Sequence, residues 1–98
     1  DDLLEYSLIY SICKNNLKIG LIYYNKKNGY YFIIIDRKYR NKGYGKLALK
    51  KLINILKRKK LKLRTLVSLK NKNSFKIHEN LCIYKKRYNK NFFYFKLL

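Results

Sequence analysis

The feature that most constrains the fold is an apolar run that leads through a basic loop into an amphipathic helix. Residues 30–35 read YYFIII, and this continuous run predicts a strand buried on both faces. Residues 36–43 are polar and basic. From residue 44 to residue 60 the apolar residues recur with a period of 3.6, which predicts a helix. A strand, a long helix and another strand in succession predict a right-handed parallel crossover.

The rest of the chain adds short strands and one short helix, which gives the order β-β-β-α-β-α-β-β. Further strands are expected over residues 3–12, 17–24, 61–69, 82–88 and 91–98, and a short helix over 74–81. Turn residues at 14–16 and 25–29 join the first three strands into an antiparallel meander. We expect residues 1–98 to form one α/β (α+β) domain, either complete in itself or the C-terminal part of a longer chain.

The charge balance is strongly positive, with 25 Lys+Arg against 5 Asp+Glu and a net charge of +20. Such a charge attracts polyanions. However, the dominant residues Lys, Asn, Ile and Tyr all have AT-rich codons, and lysine far outnumbers arginine, which binds phosphate better. Genome composition therefore explains the charge at least as well as function does, and we do not expect nucleic acid as a partner.

Cysteine content and hydropathy set further limits. Cys13 and Cys82 are too few for a disulfide scaffold, so we expect free thiols and a cytoplasmic location. His78 and Cys82 are four residues apart, but no other pair completes a tetrahedral set, so we expect no metal. No apolar run approaches the roughly 18–20 residues that a membrane span requires, so we expect no span.

The basic loop carries the chemistry. Gly43 and Gly45 directly precede the predicted helix, whose first N–H groups are unpaired and partially positive. Glycines allow a ligand to approach the backbone closely, and Arg40, Lys42 and Lys46 add full charges. The Walker and Rossmann patterns both fail, because no Ser/Thr and no third glycine follow where those patterns require them. The loop therefore predicts a phosphate or pyrophosphate cradle, and the alternative is a plain turn before the helix.

Two sequence blocks carry a family resemblance. Residues 40–45, RNKGYG, match the Arg/Gln-x-x-Gly-x-Gly/Ala signature of the GNAT N-acetyltransferases, between a strand and a helix as in that family. Residues 67–83 resemble the family's downstream block. The outright matches in this block are Val67, Asn71, Glu79 and Leu81. The two blocks are in register, and the resemblance covers residues 8–98.

The resemblance implies a GNAT-like, mostly antiparallel sheet that lacks most of the usual N-terminal strand and helices. It also implies an enzyme that transfers an acetyl group from acetyl-CoA, as co-substrate, to a primary amine: a small amine, an amino sugar or a protein amine. The residues expected to bind the cofactor are Ile33, Ile34, Ile35, Arg40, Asn41, Lys42, Gly43, Tyr44, Gly45, Lys46 and Asn71. A homodimer is left open.

Two catalytic residues are proposed from the resemblance. His78 stands where the family often has a tyrosine that serves as general acid to the leaving thiolate; alternatively, it is an ordinary half-buried side chain. Glu5 could serve as the general base, or else the amine loses its proton to water. The tyrosines that could line an acceptor pocket are Tyr6, Tyr23, Tyr24 and Tyr30.

Two other functions compete with the acetyltransferase. The first is a basic nucleic-acid-binding module that combines lysine charge with tyrosine stacking. The second is a GNAT-like module that binds CoA but is catalytically inactive.

Overall fold

The computed structural model describes residues 7–98, and its elements follow the order predicted from the sequence. The elements are β1 (Ser7–Lys14), β2 (Leu17–Asn25), β3 (Tyr31–Ile35), α1 (Tyr44–Arg58), β4 (Arg64–Ser68), α2 (Lys72–Leu81), β5 (Tyr84–Arg87) and β6 (Phe92–Lys96). A 3₁₀ turn, Arg37–Tyr39, lies in the loop between β3 and α1. The sequence did not predict this turn.

Strands β1, β2 and β3 form an antiparallel sheet in that order, which confirms the predicted meander. Asn15 and Asn16 join β1 to β2 with φ values of 50° and 68°, a region that asparagine tolerates better than most residues. One face of this sheet packs on α1. The hydrophobic core between this sheet and the helix includes Tyr24, Leu52 and Leu56, each of which is almost fully buried.

The prediction that residues 30–35 are buried on both faces is wrong. Phe32 is 50% exposed and Ile34 is 48% exposed, whereas Tyr31, on the other face, is buried. A strand exposes alternate side chains to opposite faces of its sheet, and α1 covers only one face of β3. The apolar run therefore forms a strand whose two faces are both apolar, although only one of them is buried.

Strands β4, β6 and β5 form a second antiparallel sheet in that spatial order. Helix α2 packs on one of its faces, where the ring of Phe75 meets those of Phe93 and Phe95 edge-to-face at centroid distances of 5.1 and 5.2 Å. Edge-to-face contact is a favoured geometry for aromatic pairs. The helix is therefore held to the sheet by aromatic packing.

The two sheets meet at one parallel bridge, between Tyr30 and Arg64. The predicted parallel arrangement of the strands before and after α1 holds at this point. Farther along, β3 and β4 belong to separate sheets and do not pair with each other. The strands therefore leave an opening between them on the side of Ile35 and Ser68.

Helix α1 begins after Gly43 and buries Ala48, Leu49, Leu52 and Leu56 against the first sheet. This set has the period that predicted the helix, which ends at Arg58, two residues before the expected boundary. No helix within residues 7–98 is long and apolar enough to cross a bilayer.

Gly20 is the position where a side chain is least tolerated. It pairs with Ile35, and a Cβ built on it would lie far inside contact distance of the backbone carbonyl oxygen of Ile34. We expect Gly20→Ala to lower the free energy of unfolding by about 1–3 kcal/mol, because the β2–β3 ladder must shift to admit the methyl group. Urea denaturation measures the change. An alanine at Gly45, whose Cβ would meet nothing within 4 Å, is the matched control and should cause no such loss.

Candidate active site

A cavity of about 520 Å³ lies where the two sheets diverge. Its walls are β3, the loop that follows it, the first turn of α1, β4 and the first turns of α2. It brings together all of the residues predicted to bind the cofactor except Lys42, which does not line it. Those that line it are Ile33, Ile34, Ile35, Arg40, Asn41, Gly43, Tyr44, Gly45, Lys46 and Asn71.

The loop after β3 is ordered by its own contacts. The Arg40 Nε donates a hydrogen bond of 2.8 Å to the carbonyl oxygen of Ile35, which ties the loop to the end of β3. Asn41 and Gly43 have φ values of 61° and 84°, so the chain turns twice through the left-handed region before the helix starts. At Gly43 this conformation favours glycine, because side chains are strained there.

The first turn of α1 offers unpaired donors to the cavity. Gly43 is the N-cap residue and has no side chain that could accept a hydrogen bond. The first backbone bond of the helix runs from Leu47 N to Gly43 O at 3.1 Å, so the N–H groups of Tyr44, Gly45 and Lys46 have no acceptor within the helix. These donors and the positive end of the helix dipole favour an anion.

The edge of β3 that faces β4 lies along the cavity. Within residues 7–98, β3 pairs with β2 on its other side, and its link to the second sheet is the bridge at Tyr30. Backbone groups of the strand beyond this bridge are therefore available to an extended ligand that runs beside it. The side chains of Ile33 and Leu66 add apolar lining.

His78 is buried and both of its ring nitrogens have partners. Its Nδ1 lies 2.7 Å from the backbone carbonyl oxygen of Ser74. Because a carbonyl can only accept, Nδ1 carries the proton, and Nε2 is left as an acceptor. The hydroxyl of Tyr31 donates to this Nε2, and both residues line the cavity. The fold therefore forms a Tyr31–His78 pair at the cavity wall.

Burial sets the charge of this pair. It lowers the pKa of His78 below its ordinary value, an effect that the hydrogen bond to Ser74 only partly offsets. Burial also raises the pKa of Tyr31 far above its ordinary value. At neutral pH both groups are therefore neutral, with the proton on the tyrosine oxygen. The neighbouring carboxylate, Glu79, does not alter this state, because it forms an ion pair with Lys85 on the surface.

Sequence reasoning missed Tyr31. It was included only within an apolar strand, and no local pattern links it to a histidine 47 positions away. Three of the tyrosines that were expected to line an acceptor pocket do not line this cavity: Tyr24 is fully buried in the core, Tyr23 stacks on Phe32, and Tyr30 lies beneath Arg64.

Of the remaining sequence-based candidates, the structure describes only Asn71. Glu5 and Tyr6 lie outside the residues that the structure describes. Asn71 lines the cavity, and its side-chain oxygen accepts a hydrogen bond of 3.1 Å from Ser74 N. Asn71 therefore caps α2.

Comparison with known proteins identifies the class. The family model described as the Acetyltransferase (GNAT) family matches residues 3–82. The chain therefore belongs to the GNAT acetyltransferase family, as the sequence resemblance indicated. None of the curated proteins matches the chain in sequence.

Solved structures of the same fold are N-acetyltransferases of low sequence identity. The ribosomal-protein-S18-alanine N-acetyltransferase from Escherichia coli superposes with a TM-score of 0.72 at 16% identity, over 95% of this chain and 70% of that one. An N-acetyltransferase from Staphylococcus aureus Mu50 gives 0.73 at 17%, over 96% and 68%. The microcin C7 self-immunity acetyltransferase MccE, solved with acetyl-CoA and AMP, gives 0.71 at 16%, over 100% and 64%.

Proposed function

We propose that this protein transfers an acetyl group from acetyl-CoA to a primary amine. The observation that carries the proposal is the cavity itself. It combines an uncapped helix N-terminus, an unpaired strand edge and a buried proton-bearing pair within one space. An anion site, a hydrogen-bonding edge and a proton carrier are what this reaction requires.

The cofactor would lie along the cavity from the loop to the sheet junction. The N–H groups of Gly43, Gly45 and Lys46 suit its pyrophosphate, with the charges of Arg40 and Lys42 nearby. The edge of β3 at Ile33, Ile34 and Ile35 suits its amide-containing arm. The Asn71 side-chain oxygen is engaged in capping, so its amide nitrogen is the atom that remains to contact the cofactor. Acetyl-CoA supplies the acetyl group as an activated thioester.

The Tyr31–His78 pair would move the proton. The acceptor amine, in its neutral form, loses one proton in the reaction, and the leaving sulfur gains one. Tyr31 Oη can accept the amine proton while its own proton passes to His78 Nε2, and the reverse transfer delivers a proton to the sulfur. His78 thus keeps the proposed acid role, but as a carrier that is neutral at the start, because burial lowers its pKa. Glu5 remains a separate candidate for the base.

The acceptor is proposed at the level of its chemistry, a primary amine on a small molecule, an amino sugar or a protein. The structural neighbours include enzymes named for a ribosomal-protein alanine and for spermidine, so both acceptor types belong in the test.

Both cysteines, Cys13 and Cys82, are free, which supports the proposed cytoplasmic location.

Thermal unfolding with and without acetyl-CoA tests the proposal. A ligand at 100 times its Kd stabilises the folded state by about 2.7 kcal/mol, which should raise the Tm of a chain of this size by about 10 °C or more. Thiol release is then measured with spermidine, an alanine-ended peptide and an amino-sugar phosphate. Acetate alone, which carries the acetyl carbon skeleton without the CoA moiety, is the control and should leave the Tm nearly unchanged.

The outcomes separate the enzyme from an inactive CoA-binding module. A Tm shift with amine-dependent thiol release supports the enzyme. A shift without release on any amine of the panel would favour an inactive CoA-binding module. The absence of a shift at saturating acetyl-CoA would contradict the proposal.

A further inference from the structure

The second sheet exposes a face of tyrosine, lysine and arginine side chains on the side opposite α2. A shallow hollow of about 660 Å³ lies on it. We call this the basic tyrosine face, and its residues are Tyr30, Arg64, Tyr84, Lys86, Tyr94 and Lys96. None of them lines the cavity between the sheets, so the face is separate from the proposed active site.

Strand register places rings and ammonium groups alternately on this face. Tyr84 of β5 lies opposite Lys96 of β6, and Lys86 lies opposite Tyr94. Along each strand, residues two apart share a face and are about 6.6–6.8 Å apart, while neighbouring strands are about 4.8 Å apart. Each tyrosine therefore has a lysine beside it both along its strand and across to the next.

The ring of Tyr84 is accessible to a ligand, and that of Tyr94 is half-buried beside it. Tyr84 is 51% exposed, and its ring meets that of Tyr94 at a centroid distance of 6.4 Å with an interplanar angle of 62°. At the edge of the face, the guanidinium of Arg64 lies 4.8 Å above the ring of Tyr30, and its Nε donates to the carbonyl oxygen of Asn28. This bond fixes the position of the charge.

No carboxylate of the described chain lies on this face. Within residues 7–98 the acidic side chains are Asp36, which follows β3, and Glu79, which pairs with Lys85. Lys85 alternates with Tyr84 and Lys86 along β5 and so belongs to the opposite face. Among the side chains of residues 7–98, the charges on this face are therefore all positive, which suits an anionic partner.

We propose that the basic tyrosine face binds single-stranded nucleic acid, with bases stacked on the tyrosines and phosphates held by the lysines and Arg64. Every base has a face that can stack on an aromatic ring, and a positively charged groove can follow the backbone. Sheets that present aromatic side chains use this mode with single-stranded RNA. Composition argued against nucleic acid, because bias alone could supply the charge, but composition does not reveal that tyrosines and lysines alternate on one face.

Fluorescence anisotropy with labelled 12-nucleotide oligo(U) and oligo(dT) tests this proposal. Tyr84→Ala and Tyr94→Ala should each weaken binding about 5- to 100-fold, the loss expected when a stacked base loses its platform. Tyr84→Phe keeps the ring and should bind nearly as the parent does. Lys86→Gln and Lys96→Gln should each reduce the slope of log K against log salt by about 0.7.

The matched control variants are Lys50→Gln and Lys57→Gln, which remove the same charge from the exposed side of α1. They should leave affinity almost unchanged, and losses equal to those of Lys86→Gln would overturn the proposal in favour of diffuse attraction. Equal affinity for uridine monophosphate and the 12-mer, or normal binding by both alanine variants, would also overturn it.

The proposal is independent of the acetyltransferase assignment. Tyr84→Ala should retain the parental Tm and its shift with acetyl-CoA, which shows in the same sample that the chain is folded and the cavity intact. Loss of oligonucleotide binding with the cofactor shift retained supports the face. Displacement of the oligonucleotide by saturating acetyl-CoA would instead assign it to the cavity and overturn this inference.

Discussion

Replacing His78 with alanine should lower kcat by about 10²- to 10⁴-fold and leave acetyl-CoA binding nearly unchanged. The hydroxyl of Tyr31 donates to His78 Nε2, so removal of the ring leaves its proton without an acceptor. A positioned acid or base typically contributes a factor of this size. Steady-state kinetics of thiol release give kcat, and thermal shifts with acetyl-CoA give binding.

Two further variants separate proton transfer from packing. Tyr31→Phe should lose a similar factor, and the double variant should lose little more, because groups that act as a unit are not additive. His78→Gln can still accept a hydrogen bond from Tyr31 but has no titratable ring. It should therefore be as inactive as His78→Ala, and near-normal kcat in His78→Gln would assign the histidine a structural role only.

The pH dependence of kcat also tests the role of His78, because the direction of the change is fixed by the shift of its pKa. Burial lowers the pKa of His78 below its ordinary 6.5, so the ring is neutral at neutral pH. The proposed relay needs a neutral Nε2, so the parent-to-His78→Gln ratio of kcat should fall as pH drops through the pKa of His78 in the folded protein. Taking the ratio cancels the titration of the acceptor amine. A ratio that falls instead as pH rises would indicate an imidazolium acid present from the start.

The free energy of unfolding should also depend on the protonation of the His78 ring. The unfolded chain binds a proton at His78 at higher pH than the folded chain does, because the pKa is lower in the folded state. The contribution of the neutral ring is therefore fully present above about pH 6.5 and is lost as pH falls through the folded-state pKa. The packed surroundings of the ring are Tyr31, Ser74 and Phe95. None of these supplies a charge that would reverse the sign.

The parts of the fold and site that could be predicted depend on local patterns. The order of strands and helices followed from the period of the apolar residues, and the loop around Gly43 followed from the glycine spacing and its charges. Both signals lie within a dozen residues of one another along the chain. They can therefore be recognised without knowledge of the tertiary structure.

The parts that could not be predicted depend on which elements face each other. The Tyr31–His78 pair joins β3 to α2, and the exposed second face of β3 depends on what covers it. Helix α2 also begins at Lys72, two residues before the predicted start, because Asn71 provides the cap through Ser74 N. The first two features depend on contacts between residues far apart in the sequence. The third depends on which of several neighbouring Asn and Ser residues caps the helix.

Substitution of Gly45 by alanine should change stability and ligand binding in opposite directions. Gly45 lies in the first turn of α1 with an unstrained φ, and a Cβ there would meet nothing within 4 Å. Nothing in the described protein therefore requires glycine at this position. Alanine should raise the free energy of unfolding by up to about 1 kcal/mol, because it restricts the unfolded chain and favours the helix.

The same methyl group enters the space where the pyrophosphate would approach the helix N-terminus. We therefore expect Gly45→Ala to weaken acetyl-CoA binding about 10-fold or more, and Gly45→Val to abolish the thermal shift, because a steric overlap of this kind costs about 1–3 kcal/mol. Calorimetric titration and unfolding of the unliganded variants measure the two effects. Gly43→Ala is the contrasting control: its φ of 84° predicts a loss of stability without ligand. If Gly45→Val binds acetyl-CoA as the parent does, the pyrophosphate does not bind in the open space above this turn. Ligand binding would then not explain why glycine occupies position 45.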